Sequence, residues 1–328
     1  MQSDIRKKLL DAFTNAGDRF LSGQALAAMI GCSRTAVWKH IEGLRSEGFT
    51  IEAVKRKGYR ISNTPLALTA DEIRLGLKSR FIGQTIHYRE TVDSTQKLAL
   101  ALSAADAPEG TLVVADEQTS GRGRMDRKWH SPKGSGIWMS LLLRPDIPPQ
   151  RAPQLTLLTA VAVARAIEEA SGISVAIKWP NDILVNGKKI TGILTEMQAE
   201  SDRIHSVIIG IGVNVNQKNE DFPGELQGIA TSIALETGQE ARRSMIIREF
   251  CSQFEKLYLI FLEKGFYPIK LLWESYAQGM GSRVRARTYS GVIEGKALGI
   301  TNEGVLQLED VSGRIHQIYS ADIDFPLS

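Results

Sequence analysis

The chain has 328 residues, 43% hydrophobic and 23% charged, which excludes wholesale disorder and is too long for one ordinary domain at roughly 100–200 residues each. The formal charge is only +3, but residues 1–62 hold 11 Lys+Arg against 6 Asp+Glu and the remainder 29 against 31, so the basic excess lies in the N-terminal fifth and points to a nucleic acid or another anionic surface. No run approaches the roughly 18–20 apolar residues of a membrane span, and acid and base precede any apolar block, so neither a membrane segment nor a secretory leader is expected.

In chain order, Ile5, Leu9, Leu10 and Phe13 recur at helical spacing and predict a first amphipathic helix. Residues 21–30 predict a second, stopped by Gly31. Ser33 is a good cap for a third, from Arg34 to Ser46, with Val37, Ile41 and Leu44 as its buried stripe. Ser33, Arg34, Thr35, Trp38 and Lys39 lie near its start, some turned outward. A hairpin follows, residues 50–54 and 59–61, whose tip carries Lys55, Arg56 and Lys57. Two close helices and a basic hairpin read as a winged helix-turn-helix, the third helix for the major groove and the tip for phosphates or the minor groove. A protein-binding helical module would also carry a basic face, but the order helix, helix, helix, basic hairpin favours DNA. One such module makes few phosphate contacts, so useful specificity needs a dimer on two half-sites. Asn63-Thr64-Pro65 reads as a linker, and Thr69-Ala70-Asp71-Glu72 opens a new helix with capping chemistry.

Four segments of the central region carry the chemistry. Ser94 and Thr95 stand between a strand near residues 85–88 and a helix running toward Ala104; they read as caps or, with the free N–H groups there, as contacts for a polar ligand, and capping is favoured. After a strand at residues 111–115, the run Gln118-Thr119-Ser120-Gly121-Arg122-Gly123-Arg124-Met125-Asp126-Arg127-Lys128-Trp129 puts three arginines on a glycine-bearing loop suited to carboxylates and phosphates. It is neither a phosphate-binding P-loop nor a dinucleotide fingerprint. Lys178 ends a strand, Trp179-Pro180-Asn181-Asp182 turns the chain, and Asn186-Gly187 marks a hairpin returning through Lys188 and Gly192 to Glu196. Gly210-Ile211-Gly212-Val213-Asn214 lies in a buried-type strand that a ligand or another backbone can approach closely.

Taken together and in this order, these segments resemble the biotin protein ligase family over essentially the whole chain, and the N-terminal module resembles its bifunctional members, which are also biotin operon repressors. The resemblance implies a winged helix-turn-helix at 1–64, a class II synthetase-like α/β catalytic core at 65–275 and an SH3-like β-barrel at 276–328, an α+β multidomain protein. It implies that Ser94, Thr95, Gln96, Gln118, Gly121, Arg122, Gly123, Arg124, Trp129, Lys178, Gly192, Gly210 and Gly212 bind biotin or its adenylate. Lys178 would lie at the biotin carboxyl and the α-phosphate, and Asn181, Asp182 and Asn214 near the nucleotide or Mg²⁺. Two positions depart from the family pattern: Asp126 replaces a common glycine, which would stiffen the loop, and Gln96 stands where Asn is common.

The reaction so implied joins biotin to ATP as an adenylate and then moves biotin to a lysine of a carboxylase carrier domain. The first step brings anions together, and Arg122, Arg124, Arg127 and Lys178 are the cations available to screen them, with Mg²⁺ on the nucleotide. No enzyme nucleophile is required; Cys251 lies in an amphipathic helix at residues 245–262 with no base beside it, which argues against a thioester route. With only Cys32 besides, and no ligand-spaced Cys or His, neither a disulfide framework nor a fixed metal site is expected, and a reduced, cytoplasmic setting fits. The segments 282–287, 291–297, 304–308 and 315–319 read as short strands of a small barrel, which the resemblance assigns to adenylate formation and carrier binding. In the family the adenylate favours a homodimer on a palindromic operator. A lipoate ligase and a ligand-sensing repressor without catalysis share parts of these features; the Gly-Arg-Gly-Arg run with the winged helix disfavours the first, and Lys178 with the loop arginines disfavours the second.

Overall fold

The computed structural model describes residues 2–64 and 67–325, without the side chains of Gln2, Ser3 and Asp126, and the chain divides into two compact units, Met1–Ser79 and Arg80–Ser328. The stiffening effect expected of Asp126 and the role of Pro65 in the linker therefore lie outside the described residues.

In the first unit, helices α1 (Gln2–Ala16), α2 (Gly23–Ile30) and α3 (Arg34–Ser46) precede a hairpin of β1 (Thr50–Val54) and β2 (Gly58–Asn63), then α4 (Ala70–Arg74). The Ser22 and Ser33 hydroxyls accept from the N–H groups of Ala25 and Ala36, and Gly31 closes α2 in the left-handed conformation. Leu9, Leu10 and Phe13 of α1 pack with Leu26, Val37, Ile41 and Leu44 into one core, as the helical spacing requires. Residue 21 is not helical, contrary to expectation. Capping by Ser22 starts α2 at Gly23, and Leu21 instead exchanges backbone hydrogen bonds with Tyr59 (2.9 and 2.8 Å), extending the hairpin sheet. The unit also runs past the expected boundary at 64. α4, capped by Thr69, returns to α1: Asp71 pairs with Arg6, the Gly76 N–H donates to Thr14 Oγ1 (2.8 Å), and Leu75 packs on the core.

The second unit is built on a seven-stranded sheet in the order β3-β4-β5-β9-β8-β7-β6. Its strands are β3 (Ile86–Val92), β4 (Leu112–Gln118), β5 (Gly136–Leu143), β6 (Ala176–Lys178), β7 (Asp182–Val185), β8 (Lys188–Ala199) and β9 (Ile204–Asn214). Only β3 and β4 run parallel; all other neighbours are antiparallel. Helix α5 (Thr95–Ala104) connects that parallel pair and packs through Ala99 on Val113, Leu142 and Ile208. Helix α6 (Ala152–Ser171), buried along most of its length, packs on β8 and on α8 (Arg243–Lys264) and α9 (Tyr267–Tyr276), with short α7 (Ile233–Thr237) before them. Arg243 opens α8 with a buried ion pair to Asp116 on β4 (2.7 Å). The carboxylate of Glu255 on α8 accepts from the backbone N–H groups of Arg80, Phe81 and Ile82, fixing the start of the unit.

β10 (Arg283–Thr288), β11 (Gly291–Ile300), β12 (Leu306–Glu309), β13 (Ile315–Ile318) and β14 (Asp322–Asp324) form a five-stranded antiparallel sheet in the order β13-β12-β11-β10-β14. The last strand has no counterpart in the sequence reading: three residues are too few to show alternation. This sheet belongs to the same compact unit as the seven-stranded one. No helix among the described residues is long and apolar enough to cross a membrane.

Candidate functional site

One cavity of about 510 Å³ opens on the seven-stranded sheet. All four chemical segments reach it. Gln118 and Lys178 come from the ends of β4 and β6, Gly192 from β8, Gly210 and Gly212 from β9, and Arg122, Gly123, Arg124, Arg127 and Trp129 from the connection after β4. Ser94, Thr95, Gln96, Asn181, Asp182 and Asn214 complete the expected set. Gly121 is the exception. It is buried outside the lining, and a β-carbon there would meet the Trp129 carbonyl at 2.4 Å and Ser131 Oγ at 2.7 Å.

The floor is a hydrogen-bond network. Ser94 occupies the cap position of α5, but its side chain makes no cap bond. The carboxamide oxygen of Gln118 supplies that cap from a neighbouring strand, accepting from the Thr95 N–H (2.9 Å), with Thr95 Oγ1 3.1 Å away. The capping reading of Ser94 is thus corrected. Gln96 is buried, and its Nε2 donates to the Ile208 carbonyl (3.1 Å). The glycines make room: a β-carbon on Gly212 would fall 2.4 Å from the Trp129 indole, and one on Gly192 2.8 Å from it. Trp129 therefore lies flat across β8 and β9, with Trp138 edge-on at 6.4 Å.

The arginines line the same cavity. Arg124 Nη1 donates to Asn181 Oδ1 (2.9 Å) and Nη2 to Ser320 Oγ (2.8 Å). Burial, the largest influence, draws the Arg124 pKa below its ordinary value, while the Asp322 and Asp182 carboxylates oppose that shift. Arg127 pairs with Asp322, and Arg122 stands 3.6 Å from Glu196. A half-buried guanidinium held by neutral acceptors, with two more beside it, suits an anion. Asp182 pairs with Lys189 (2.7 Å), whose ammonium also lies over the Trp129 ring at 5.4 Å. Asn214 turns its amide into the protein: Nδ2 donates to the Thr231 carbonyl, and Oδ1 accepts from Gln217.

Several lining residues were not singled out in the sequence. Ser140 is the only hydroxyl in the wholly buried β5. Lys189 was hidden among the ordinary lysines of a hairpin. Phe222, Leu226 and Ile229 come from a segment without periodicity, and Asp322 from the five-stranded sheet.

In the first unit, Ser33, Arg34, Thr35, Trp38, Lys39, Lys55, Arg56 and Lys57 are all exposed. Arg34, Lys39, Lys55, Arg56 and Lys57 form no ion pair among the described residues, whereas Arg6, Arg45 and Arg60 do. Unpaired cations on one helix start and one hairpin tip are available to phosphates.

Residues 88–214 match the family model described as the biotin/lipoate A/B protein ligase family, residues 6–60 that of an HTH domain, and residues 279–325 that of the biotin protein ligase C terminal domain. The bifunctional ligase/repressor BirA of Bacillus subtilis (strain 168) is 59% identical over 324 residues, 99% of each chain. Its namesake from Escherichia coli (strain K12) is 29% identical over 296 residues, 90% of this chain and 89% of that one. The biotin protein ligase from Aquifex aeolicus, solved in complex with biotin and ATP, superposes with a TM-score of 0.64 at 32% identity, over 74% of this chain and 98% of that chain. With that identity sustained from end to end, and with a cavity assembled from the expected motifs, the chain belongs to the bifunctional ligase/repressor family of biotin protein ligases.

Proposed function

We propose that the protein is an ATP-dependent biotin–protein ligase that also represses transcription in response to biotin. In the first half-reaction a carboxylate oxygen of biotin attacks the α-phosphorus of ATP, giving biotinyl-5'-AMP and pyrophosphate. In the second the neutral ε-amine of a carrier lysine attacks the mixed anhydride, the amide forms, and AMP leaves. The observation that carries this reading is the convergence of Lys178 and the three loop arginines on one cavity that a neutral hydrogen-bond network also lines.

Lys178 is assigned to the carboxylate and α-phosphate, where a fixed cation offsets the charge that accumulates in the transition state. Arg122, Arg124 and Arg127 are assigned to the phosphates, exchanging Glu196, Asn181 and Asp322 for the anion as it enters. Thr95, Gln118 and Trp129 are assigned to the biotin rings. Asn181 and Asp182 are assigned to the nucleotide side, and Asn214 acts from behind by holding its wall. Among the described residues no three His, Cys, Asp or Glu side chains stand together as a metal set. Asp182 is also paired with Lys189. The donors do not fit a protein-held ion, so Mg²⁺ is assigned to the nucleotide and no step is routed through it.

The exposed, unpaired cations of α3 and the hairpin tip support operator binding. Because one module offers few phosphate contacts, a homodimer on two half-sites, promoted by the adenylate, follows as the working arrangement in the cytoplasm. Biotin-dependent exchange of labelled pyrophosphate into ATP tests the first half-reaction. Exchange that persists without biotin, or never appears with it, contradicts the reading.

A further inference from the structure

Ser140 is fully buried on β5, and its Oγ lies 2.9 Å from Thr95 Oγ1 and 3.0 Å from Gln96 Oε1. Backbone groups fix the orientation of the two carboxamides near it. Gln96 Nε2 donates to the carbonyls of Ile208 (3.1 Å) and Leu194 (3.5 Å), so Oε1 is the atom facing Ser140, and it only accepts. The single proton of Ser140 goes to it. The carboxamide of Gln118 is fixed in the same way. Its Oε1 accepts from the Thr95 N–H (2.9 Å), and its Nε2 donates to Ser131 Oγ (2.9 Å), which donates in turn to the Trp129 carbonyl (3.1 Å).

The Thr95 hydroxyl is left with one proton and two neighbouring oxygens, Ser140 Oγ and Gln118 Oε1 (3.1 Å). Ser140 has spent its own proton, so a 2.9 Å approach to Thr95 requires Thr95 to donate. Thr95 Oγ1 and Gln118 Oε1, both lining the cavity, then present lone pairs and no proton. Gln118 Oε1 already accepts from the Thr95 N–H, so the corner keeps free lone pairs and offers no hydroxyl proton: a ligand N–H gains a partner there and a ligand oxygen does not.

We infer that Ser140 is a positioning residue for substrate recognition. By taking the Thr95 proton it makes the Thr95–Gln118 corner accept only, which selects a ligand that presents N–H groups there and rejects one that presents only oxygens. The inference rests on the biotin reading, since the ureido ring of biotin is the group that supplies such donors. It adds a specificity determinant that acts through Thr95.

The test uses the full-length protein and titration calorimetry. The ligands are biotin and the two cyclic carbamates in which one or the other ureido N–H is replaced by oxygen. In Ser140→Ala the Thr95 proton is free to turn toward Gln118 or the cavity. Biotin is expected to bind about tenfold more weakly and the better-bound carbamate no more weakly than to wild type, so the preference for biotin falls about tenfold. The loss should appear in KM for biotin rather than in kcat. Ser140→Thr, which keeps the hydroxyl, should restore the preference, and Ser140→Cys, a weak donor of similar size, should fall between. A purely structural role weakens both ligands alike, so an unchanged preference in Ser140→Ala overturns the inference while leaving the biotin reading intact. A wild-type protein that binds no biotin overturns both.

Discussion

The side-chain oxygen of Gln96 occupies the space beside Gly210, where a β-carbon would stand only 2.7 Å from it. This close approach lets a helix residue reach across the sheet to the Ile208 carbonyl and joins α5 to β9 beneath the cavity. Gly210→Ala should therefore expel Gln96 and break its bonds to Ile208 and Ser140. Biotin affinity is expected to fall at least about tenfold and the melting temperature by several degrees, the usual scale of overpacking in a tight site. Calorimetric titration and a thermal melt read the two effects; wild-type affinity in this variant would contradict the role given to the pair.

Lys178 ends β6 at the rim of the cavity. Lys178→Ala should lower adenylate formation by more than about tenfold, the loss of at least about 1.4 kcal/mol of transition-state stabilisation. The far-UV circular dichroism and melting temperature should stay those of wild type. Pyrophosphate release at saturating biotin and ATP measures it, and a wild-type rate would remove Lys178 from the chemistry.

The hairpin tip offers a separate test on the first unit. Replacing Lys55, Arg56 and Lys57 together by Ala should weaken binding to duplex DNA nearly equally across sequences. It should also flatten the dependence of log affinity on log salt by about 0.9 for each phosphate that the tip no longer neutralises. Fluorescence anisotropy across a salt series reads both, and an unchanged slope would show that the tip stays off the phosphates.

Cys251 has a thiol pKa pushed up from 9.0 to about 12, chiefly by complete burial and secondarily by Glu255. Between those values the folded chain keeps a proton that the unfolded chain releases. Stability from this group is full below about pH 9 and declines as pH rises toward 12. Urea melts across that range should show the decline, with a shallower one in Cys251→Ala. At about pH 8, below the ordinary thiol pKa, the native thiol should resist iodoacetamide, and rapid alkylation without unfolding would contradict its burial.

The sequence made the charged and punctuated features legible. Three arginines among glycines, a lysine before Trp-Pro-Asn-Asp, and Asn-Gly at a hairpin each carry a local physical signature, and the structure brings all of them to one cavity or its rim. The helical stripes of the first unit were legible for the same reason, since Leu9, Phe13, Val37, Ile41 and Leu44 are spaced by the helix itself. What depends on tertiary approach was not. Gln118 caps α5 from 23 residues away, Ser140 meets Thr95 across 45, and Ser320 and Asp322 reach the arginines across nearly 200. Leu21 fell on the wrong side of a cap because its pairing with Tyr59 is set by the hairpin and not by its neighbours in sequence.

By the proposed function, this cavity makes biotinyl-adenylate and passes biotin to a protein lysine. The most direct measurement is intact-protein mass spectrometry of a carboxylase carrier domain incubated with the protein, biotin and Mg-ATP. A gain of one biotinyl group is expected, absent without ATP and abolished when the acceptor lysine is replaced by Arg. An unchanged carrier mass while biotin still binds would contradict the ligase activity and leave a sensor, whereas transfer of lipoate in place of biotin would contradict the assigned substrate.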